Sequence, residues 1–535
     1  MTPFTKSGFL IIQILFIGLF ISASICVDLI HNPERLQDAL DHVITASVLE
    51  DLDTYVHEQE RWLAVAGAIV RTTNETMTYT DVVRVNYPEV ALRYLSTLAD
   101  TIPSLVSKMT SLSKNEFKED AFYKFTNYLP GQSDLSDSIK GIIRLADVYH
   151  LSEVDIAAGS IYGRKSCPLT PEECLDIAYT FADFVTENKD VGDWIDIATN
   201  WLNFVAKMYD GKGQANEANS LRTRLIRMIR HIYKRSNCEC SKQDLRADRM
   251  WQNDFPNIPL PPREKDCSLV VPYSCKSQLG SMTLYRKAYN QFCRGEDITK
   301  LDPTEFVDPP TKGRYCRLFH NNDPRLILMP AKLEELNTDD PYVALFHDIL
   351  SDSEMELLKD LGRPRLERAH IAEGNQRQSS DKRIGETGYL KDDEHSIPEV
   401  AKIRQRFEAI TGLNVNLRAA ENFRLTNYAA SGYFYLHMDF RENNTLTQNN
   451  RLATLLLYFN DVDGGETVFP FINLKVQARR GTGVLFYNLY RSGKANMKSV
   501  HGSCPIITGY KWLLTQWISR YHQEFKYPCS TLPNE

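Results

Sequence analysis

The sequence predicts a multidomain α+β protein in which an all-α N-terminal half precedes a C-terminal sandwich or jelly roll of short strands. Hydrophobic residues recur with a helical period from about residue 30 to residue 240. Proline and cysteine residues then interrupt any regular pattern over residues 241–335. The remaining sequence consists mostly of short β-rich runs separated by turn residues, which is typical of a sandwich or jelly roll.

The bulk composition limits the classes of protein to consider. A chain of 535 residues is expected to form more than one domain. Its 43% hydrophobic and 24% charged residues are those of an ordinary globular protein. The formal net charge is -7, without a long basic or acidic block. Nucleic-acid binding is therefore not expected, because it requires a cluster of positive charge.

The first 25 residues are predicted to be a secretory signal peptide. Lys6 lies in the positively charged n-region, and Phe9–Ile21 form the apolar core. Ser22–Ser24 are the small residues that precede the cleavage site. A membrane anchor is the alternative, but the apolar run is shorter than the roughly 20 residues that a span requires. No later segment is long and apolar enough to span a membrane, so a lumenal or secreted protein is expected.

The eleven cysteines suit an oxidising compartment, because an even number remains if Cys26 is lost with the signal peptide. A zinc site is not favoured, since Cys238 and Cys240 form a CxC pair without matching histidines. Asn74 and Asn443 begin glycosylation sequons. The C-terminal residues do not form a KDEL-type signal, so retention in the endoplasmic reticulum would require another molecule.

Helical hairpins are predicted in the N-terminal half. Thr170 is placed as an N-cap, with Pro171 at the first helical position and Glu173 as its reciprocal partner; Ser152 is a similar N-cap. Seven aromatic residues at helical spacing fit either a hydrophobic core or a tetratricopeptide-like groove. They are Tyr179, Phe181, Phe184, Trp194, Trp201, Phe204 and Tyr209.

The C-terminal part begins with a helix and continues with strands. A capping box at Ser351 and Glu354 predicts a helix up to Leu361 that ends at Gly362. The predicted strands are residues 423–428, 433–440, 452–459, 467–471, 483–490, 498–501 and 510–518. Residues 241–335 are interpreted as a connector stabilised by disulfides, in which Cys293 and Cys316 flank a loop.

A metal-binding pattern lies within these strands. His437 and Asp439 are two residues apart, so on a strand both side chains point to one face. His501 must come from another strand. Two histidines and one carboxylate are the ligand set that binds iron(II) and leaves open positions for a 2-oxo acid and dioxygen.

A lysine and a tyrosine extend this pattern. A buried Lys511 would need a compensating charge, which the distal carboxylate of 2-oxoglutarate could supply. Tyr428 could donate its hydroxyl to the same carboxylate. Together these residues predict an iron(II)/2-oxoglutarate-dependent oxygenase.

The sequence resembles the α subunits of the collagen prolyl 4-hydroxylases over nearly the whole mature chain. The C-terminal stretches that carry the resemblance are FHDILSD (346–352), PRL (364–366), NY (427–428), HMDF (437–440), NRLAT (450–454), GETVFP (465–470), YNL (487–489), HGSCP (501–505), GYKW (509–512) and QEF (523–525). The helical stretches are IIRLADVY (142–149) and LTPEEC (169–174).

The resemblance implies five segments along the chain. They are a signal peptide at 1–25, a helical dimerisation region at 28–145, a tetratricopeptide-like peptide-substrate-binding domain at 146–240, a disulfide-containing connector at 241–335, and an iron/2-oxoglutarate dioxygenase domain at 336–529. The last would be a double-stranded β-helix, or jelly roll.

The resemblance also implies an activity, the 4-hydroxylation of proline in X-Pro-Gly sequences of procollagen-like chains. Its cofactors would be Fe(II), 2-oxoglutarate and ascorbate, and the 2-oxoglutarate would be converted to succinate and carbon dioxide. By position, His437, Asp439 and His501 match the family's iron ligands, and Lys511 matches its 2-oxoglutarate lysine. Further active-site positions are matched by Tyr428, Arg451 and Trp517.

The same resemblance implies partners and disulfides. An α2β2 assembly with protein disulfide isomerase would retain the chain in the lumen of the endoplasmic reticulum. The peptide groove would use Tyr179, Trp201, Phe204 and Tyr209. The disulfides would be Cys293–Cys316 and Cys504–Cys529.

One departure from the family concerns the substrate. Phe434 stands where the family usually has a tyrosine, three residues before the first histidine, so a hydroxyl group is lost. Two alternatives to collagen hydroxylation are considered, and Phe434 favours the first of them. One is the same chemistry on a non-collagen secreted proline-rich chain, and the other is a non-catalytic peptide-binding subunit.

Overall fold

The structure is a computed structural model in which two compact units are distinguished. It describes residues 87–96, 99, 132–161, 163–165, 168–187, 194–235, 284–301, 315–373, 376–379, 382–441, 449–532 and 534. One unit is formed by residues 136–290 and the other by residues 1–135 with 291–535. The predicted signal peptide, both sequons and most of the predicted dimerisation region lie outside the described residues.

Helices make up most of the described chain before residue 295. They are α1 (Pro88–Ser96), α2 (Gln132–Tyr149), α3 (Glu153–Ala157), α4 (Pro171–Glu187), α5 (Ile195–Gly211), α6 (Ala215–Arg235) and α7 (Leu284–Arg294), with a short antiparallel hairpin of β1 (Ser160–Ile161) and β2 (Arg164–Lys165). Ser152 Oγ accepts from the backbone N–H of Asp155 at 3.1 Å, as predicted for the start of α3. Thr170 and Glu173 exchange hydrogen bonds of 2.6 and 3.2 Å at the start of α4, which confirms that capping box.

The helical unit has its core where α5 packs against α4 and α6. Trp201 and Tyr209 are 0% and 4% exposed. They share the apolar face of α5 with Val205, at helical spacing. The Trp201 ring lies 6.3 Å from that of Phe181 and 6.2 Å from that of Phe204. The prediction that Trp201 and Tyr209 line a peptide groove is therefore wrong, because helix packing covers both side chains.

The C-terminal unit is built from strands and three α-helices among its described residues after 314. The helices are α8 (Pro324–Leu328), α9 (Asp352–Gly362) and α10 (Pro398–Thr411). The strands are β3 (Tyr315–Phe319), β4 (Ala331–Asn337), β5 (Val343–His347), β6 (Glu367–Arg368), β7 (His370–Glu373), β8 (Gln376–Ser379), β9 (Arg383–Ile384), β10 (Glu386–Tyr389), β11 (Arg424–Tyr428), β12 (Tyr433–His437), β13 (Arg451–Tyr458), β14 (Asp463–Gly464), β15 (Thr467–Phe469), β16 (Leu474–Val476), β17 (Gly483–Tyr487), β18 (His501–Ser503), β19 (Ile506–Thr508) and β20 (Lys511–Ser519).

Two antiparallel sheets contain most of these strands. The nine-stranded sheet has the order β3-β4-β5-β17-β13-β20-β11-β10-β6, and the five-stranded sheet has the order β16-β15-β18-β12-β9. Leu456 and Val484 of the large sheet share one core with Phe469, Leu474 and Val476 of the small sheet. The two sheets therefore pack face to face, as predicted for a sandwich or jelly roll.

The opposite face of the large sheet is covered by helices. Leu425 of β11 and Leu514 of β20 share a core with Leu358 of α9 and Phe407 of α10. Because side chains alternate along a strand, the neighbours of Leu425 and Leu514 point towards the other sheet. The Ser351 capping box is confirmed at the start of α9, with both of its hydrogen bonds present.

The strands differ from the prediction in more than their exact bounds. β3 and β4 pair in the nine-stranded sheet although they lie in the range interpreted as a connector. The buried Leu333 anchors β4 in the core of that sheet. The run at 498–501 is not one strand, since residues 497–499 form a 3-10 turn and β18 begins at His501.

The disulfide connectivity also differs. Cys293 is bonded to Cys504, while Cys316 and Cys529 are exposed free thiols. The predicted pairs Cys293–Cys316 and Cys504–Cys529 are therefore wrong in this structure. The reason is the position of α7, whose Cys293 carbonyl accepts a hydrogen bond from Lys475 on β16, in the same sheet as β18. The side chain of Cys174 is buried.

A membrane-spanning helix is not found in the part of the chain that the structure describes, since none of its helices is long and apolar enough.

Candidate active site

The predicted iron ligands meet where two strands of the small sheet are paired. His437 is the last residue of β12, His501 is the first of β18, and the two are opposite each other in the antiparallel register. Asp439 follows β12 and is 5% exposed. One ligand atom from each of the three residues lies within 4.8 Å of the others. The structure thus brings together residues that are far apart in the sequence.

Hydrogen bonds orient both imidazole rings. His437 Nδ1 lies 2.9 Å from the carbonyl oxygen of Tyr435, and His501 Nδ1 lies 3.0 Å from that of Ser499. With Nδ1–H donating to a carbonyl, the lone pair of each Nε2 is available to a metal. The two Nε2 atoms each lie 3.8 Å from an Asp439 carboxylate oxygen.

The charge states of the cluster suit a divalent cation. Burial and the nearby His501 lower the pKa of His437 to about 3, which favours the neutral, ligating form. Burial alone would raise the pKa of Asp439, but the neighbouring His501, His437 and Arg451 together lower it to about 2. The cluster therefore offers the neutral imidazole of His437 and the ionised carboxylate of Asp439 beside the imidazole of His501.

Further residues hold the Asp439 carboxylate in place. Thr454 Oγ1 donates to Asp439 Oδ2 at 2.7 Å and accepts from Asn488 Nδ2 at 2.9 Å. Arg451 Nη1 donates to the Asp439 carbonyl at 3.3 Å, while its other donors bind the carboxylate of Glu421 at 2.6 and 2.9 Å. Thr454 and Asn488 were not predicted, because nothing local in the sequence marks them as partners of Asp439.

Lys511 lies in the same cavity as the cluster and is 0% exposed. Its ammonium donates to Ser503 Oγ at 3.0 Å and to the carbonyl of Gly465. Among the described residues no carboxylate pairs with it, since the nearby Glu466 is paired with Lys475 at 3.1 Å. Burial lowers the pKa of Lys511 to about 7. A buried cation that lacks a carboxylate partner is suited to bind an anionic ligand.

The cavity is walled by side chains from both sheets. The Phe434 ring stacks on that of His437, with ring centroids 3.5 Å apart and planes inclined by 12°. The Arg383 guanidinium lies 4.5 Å from the Phe434 ring centroid and hydrogen-bonds the Tyr428 hydroxyl. Burial raises the pKa of Tyr428, so its hydroxyl stays protonated and able to donate.

Trp517 and two arginines form another part of the site. The Arg451 guanidinium lies 3.4 Å from the Trp517 ring centroid and that of Arg424 lies 5.2 Å from it. Trp517 and Arg424 line the cavity. Arg424 was missed by sequence reasoning, although alternation along β11 places it and Thr426 on the same face as Tyr428. Arg383 gave no sequence signal, because its place depends on long-range pairing of β9 with β12.

The helical unit carries a separate groove between α4 and α6. It is lined by Tyr179 and Asp183 of α4 and by Arg224, Arg227 and His231 of α6. Arg224 is paired with Asp183, and its guanidinium lies 4.7 Å from the Tyr179 ring centroid. Of the four aromatic residues predicted for a peptide groove, Tyr179 alone lines this one.

Comparisons with known proteins agree with the geometry of the site. A model of the 2OG-Fe(II) oxygenase superfamily matches residues 423–519, and a model of the prolyl 4-hydroxylase alpha-subunit, N-terminal region, matches residues 43–163. Prolyl 4-hydroxylase subunit alpha-1 of Rattus norvegicus is 29% identical, over 96% of each chain. Subunit alpha-3 of Homo sapiens is 26% identical, over 84% of each chain.

A solved structure is also similar. The viral collagen prolyl hydroxylase vCPH from Paramecium Bursaria Chlorella virus-1, in a 2OG complex, is 23% identical with a TM-score of 0.27, over 34% of this chain and 97% of that chain.

The antiparallel sheets, the His–Asp–His cluster and the first family match define the C-terminal unit as a 2OG-Fe(II) oxygenase domain, which is normally a jelly roll. The second match and the similarity over 96% of the chain extend the assignment beyond that domain. Over nearly its whole length the chain is similar to prolyl 4-hydroxylase α subunits.

Proposed function

We propose that this chain is the catalytic α subunit of a prolyl 4-hydroxylase that acts on X-Pro-Gly sequences of procollagen-like chains. The observation that carries the proposal is the convergence of His437, Asp439 and His501 in the cavity that also contains the buried Lys511. Relatives named as prolyl 4-hydroxylase α subunits support this choice of reaction.

The side chains present fit iron(II) and 2-oxoglutarate. His437, Asp439 and His501 would hold the metal through two oriented Nε2 atoms and an ionised carboxylate. Lys511 would pair with the distal carboxylate of 2-oxoglutarate, with the Tyr428 hydroxyl as a second donor. When bound, iron and 2-oxoglutarate activate dioxygen for hydroxylation at proline C4, and succinate and carbon dioxide are released.

The protein's own contribution is orientation and exclusion of water. Thr454 fixes the rotamer of Asp439, and Phe434 covers one face of the His437 ring. Leu456 and Leu513 form an apolar part of the cavity wall, and each is less than 9% exposed. Because Lys511 is 0% exposed, the ion pair that it would form with its ligand is shielded from water and thereby strengthened.

The remaining assignments rest on the family resemblance. We propose ascorbate as a reductant, protein disulfide isomerase as the partner in an α2β2 assembly, and the lumen of the endoplasmic reticulum as the location. The predicted signal peptide and the many cysteines support that location. The helices α4 to α6 are proposed as a tetratricopeptide-like domain that binds the substrate peptide along the groove with Tyr179.

A turnover assay tests this function. The full chain, co-expressed with protein disulfide isomerase, is supplied with Fe(II), 2-oxoglutarate, ascorbate and a (Pro-Pro-Gly)-repeat peptide. We expect peptide-dependent succinate and 4-hydroxyproline formation, which His437→Ala abolishes. The matched control is His320→Ala, which removes an exposed histidine outside the cavity.

Absence of turnover on any prolyl peptide, with the partner present, would contradict the proposal. Peptide binding by the wild type without turnover would instead favour a non-catalytic peptide-binding subunit.

A further inference from the structure

We propose that Arg424 makes this cavity selective for prolyl segments that carry an acidic side chain close to the target proline. The inference rests on the proposed function and adds a class of substrate to it. Arg424 would bind the carboxylate of that Asp or Glu residue.

Strand register places the Arg424 guanidinium inside the cavity. Arg424, Thr426 and Tyr428 alternate along β11 and all line the cavity. Arg424 is only 8% exposed, and its Nε donates to Thr387 Oγ1 at 2.7 Å. This bond anchors one edge of the guanidinium and leaves its terminal amino groups to a ligand.

Arg424 differs from Arg451 in how its charge is balanced. Both guanidinium groups lie against the Trp517 ring. Arg451 is neutralised by a bidentate pair with Glu421. Among the described residues no carboxylate pairs with Arg424. A buried arginine without an anionic partner is costly, so its retention in a ligand cavity indicates that a ligand supplies the charge.

The position of Arg424 argues for a peptide carboxylate rather than that of 2-oxoglutarate. In the pairing of β11 with β20, Tyr428 is opposite Lys511, whereas Arg424 is opposite Thr515. Arg424 and Tyr428 are four residues apart on β11, which corresponds to about 13 Å along the strand. The two cations therefore serve different anions, and Arg424 lies beside Trp517, away from the proposed 2-oxoglutarate lysine.

The groove of the helical unit is positively charged, like the part of the cavity around Arg424. Arg224, Arg227 and His231 line it, and Asp183 is its one acidic lining residue. Since Asp183 is paired with Arg224, the exposed Arg227 remains without a carboxylate among the described residues. Two separate binding surfaces of a chain with net charge -7 are thus cationic, as expected for an acidic proline-containing polypeptide.

Paired peptides test the inference. Peptides with a target X-Pro-Gly sequence carry one Glu, or the isosteric Gln, one or two residues before the target proline or two residues after it. Hydroxyproline formation gives kcat and KM, and fluorescence anisotropy gives the Kd of labelled peptides. At one position we expect Glu to be preferred over Gln by about tenfold to a hundredfold in kcat/KM, mainly through KM.

Variants assign that preference to Arg424. Arg424→Gln should reduce the Glu-over-Gln ratio to about one, Arg424→Lys should retain part of it, and Arg424→Glu should favour a Lys peptide. The matched control is Arg418→Gln, an exposed arginine six residues earlier, which should keep the wild-type ratio. For the groove, Arg227→Glu should weaken the Kd of a long acidic peptide, whereas Arg230→Glu, outside the lining, should not.

Three results would overturn the inference. The wild type could show no acidic preference at any position, or the preference could survive in Arg424→Gln. Alternatively, Arg424→Gln could raise the KM for 2-oxoglutarate and leave the peptide ratio unchanged, which would assign Arg424 to the cosubstrate. A complete lack of turnover contradicts the proposed function instead, and the anisotropy ratio still decides whether Arg424 selects acidic peptides.

Discussion

The oxygenase cavity and the helical groove are built in opposite ways. The cavity uses side chains that are almost fully buried, with Asp439, His501 and Lys511 no more than 5% exposed. Their positions follow from strand register and from partners such as Thr454. The groove uses Tyr179, Arg227 and other half-buried or exposed side chains on two helices. Changes at the metal cluster and at Lys511 should therefore alter turnover or the binding of 2-oxoglutarate, and changes in the groove should alter peptide affinity alone.

The largest expected effect concerns the core under the groove. Trp201→Ala removes a 0% exposed side chain, so the free energy of unfolding should fall by about 3–5 kcal/mol. Urea denaturation followed by circular dichroism measures this loss. Comparison with Phe204→Ala, which truncates a half-buried ring on the same helix, should give a smaller loss. If Trp201→Ala left stability intact and weakened peptide binding, Trp201 would be a groove residue after all.

The next effect tests Lys511, which is proposed to bind the distal carboxylate of 2-oxoglutarate. Lys511→Met should raise the KM for 2-oxoglutarate by about tenfold to a hundredfold, because a charged hydrogen-bond donor is lost. Steady-state succinate formation measures this KM, and the KM for the peptide should change far less.

The same site predicts a pH dependence. An unfolded lysine stays protonated to about pH 10.4, but burial lowers the pKa of Lys511 to about 7. The free site therefore loses its positive charge as the pH rises above about 7, and the wild-type KM for 2-oxoglutarate should rise with it. Lys511→Met should lack this rise, and a pH-independent wild-type KM would contradict the assigned role.

A smaller effect is expected from the group that holds Asp439. Thr454→Val keeps the shape of the side chain but removes the 2.7 Å hydrogen bond to Asp439 Oδ2. Affinity for a divalent metal should fall by about tenfold, because Asp439 itself remains. This is the lower end of the loss that follows from removing a group that hydrogen-bonds a metal ligand. Calorimetric titration with Mn(II) measures it. Thr411→Val is the control, because it loses only hydrogen bonds to the backbone of Phe407 and Leu413. Equal losses in both variants would argue against the role of Thr454.

The sequence predicted those parts of the site that depend on local spacing. His437 and Asp439 are two residues apart, so their shared strand face could be predicted from the sequence. Lys511 could be predicted from the short sequence stretch around it. Arg424 could also have been found, because it is four residues from Tyr428 on one strand. Arg383 and the Cys293–Cys504 disulfide could not, since both depend on which distant segments the fold places side by side. The buried Trp201 shows the same limit, because helical spacing does not tell which face is covered.

The smallest effect concerns the groove itself. Tyr179→Ala removes the aromatic ring that faces Arg224. The Kd of a long proline-rich peptide should therefore rise by about two- to fivefold, which is the size expected for a partly exposed aromatic and cation–π contact. Tyr179→Phe retains the ring and loses only the hydroxyl 3.5 Å from Ser220 Oγ, so its Kd should stay near that of the wild type. Neither variant should change the KM for 2-oxoglutarate. A change in that KM would contradict the assignment of the groove to peptide binding alone. A loss of peptide binding in Tyr179→Phe equal to that in Tyr179→Ala would contradict the role of the Tyr179 ring.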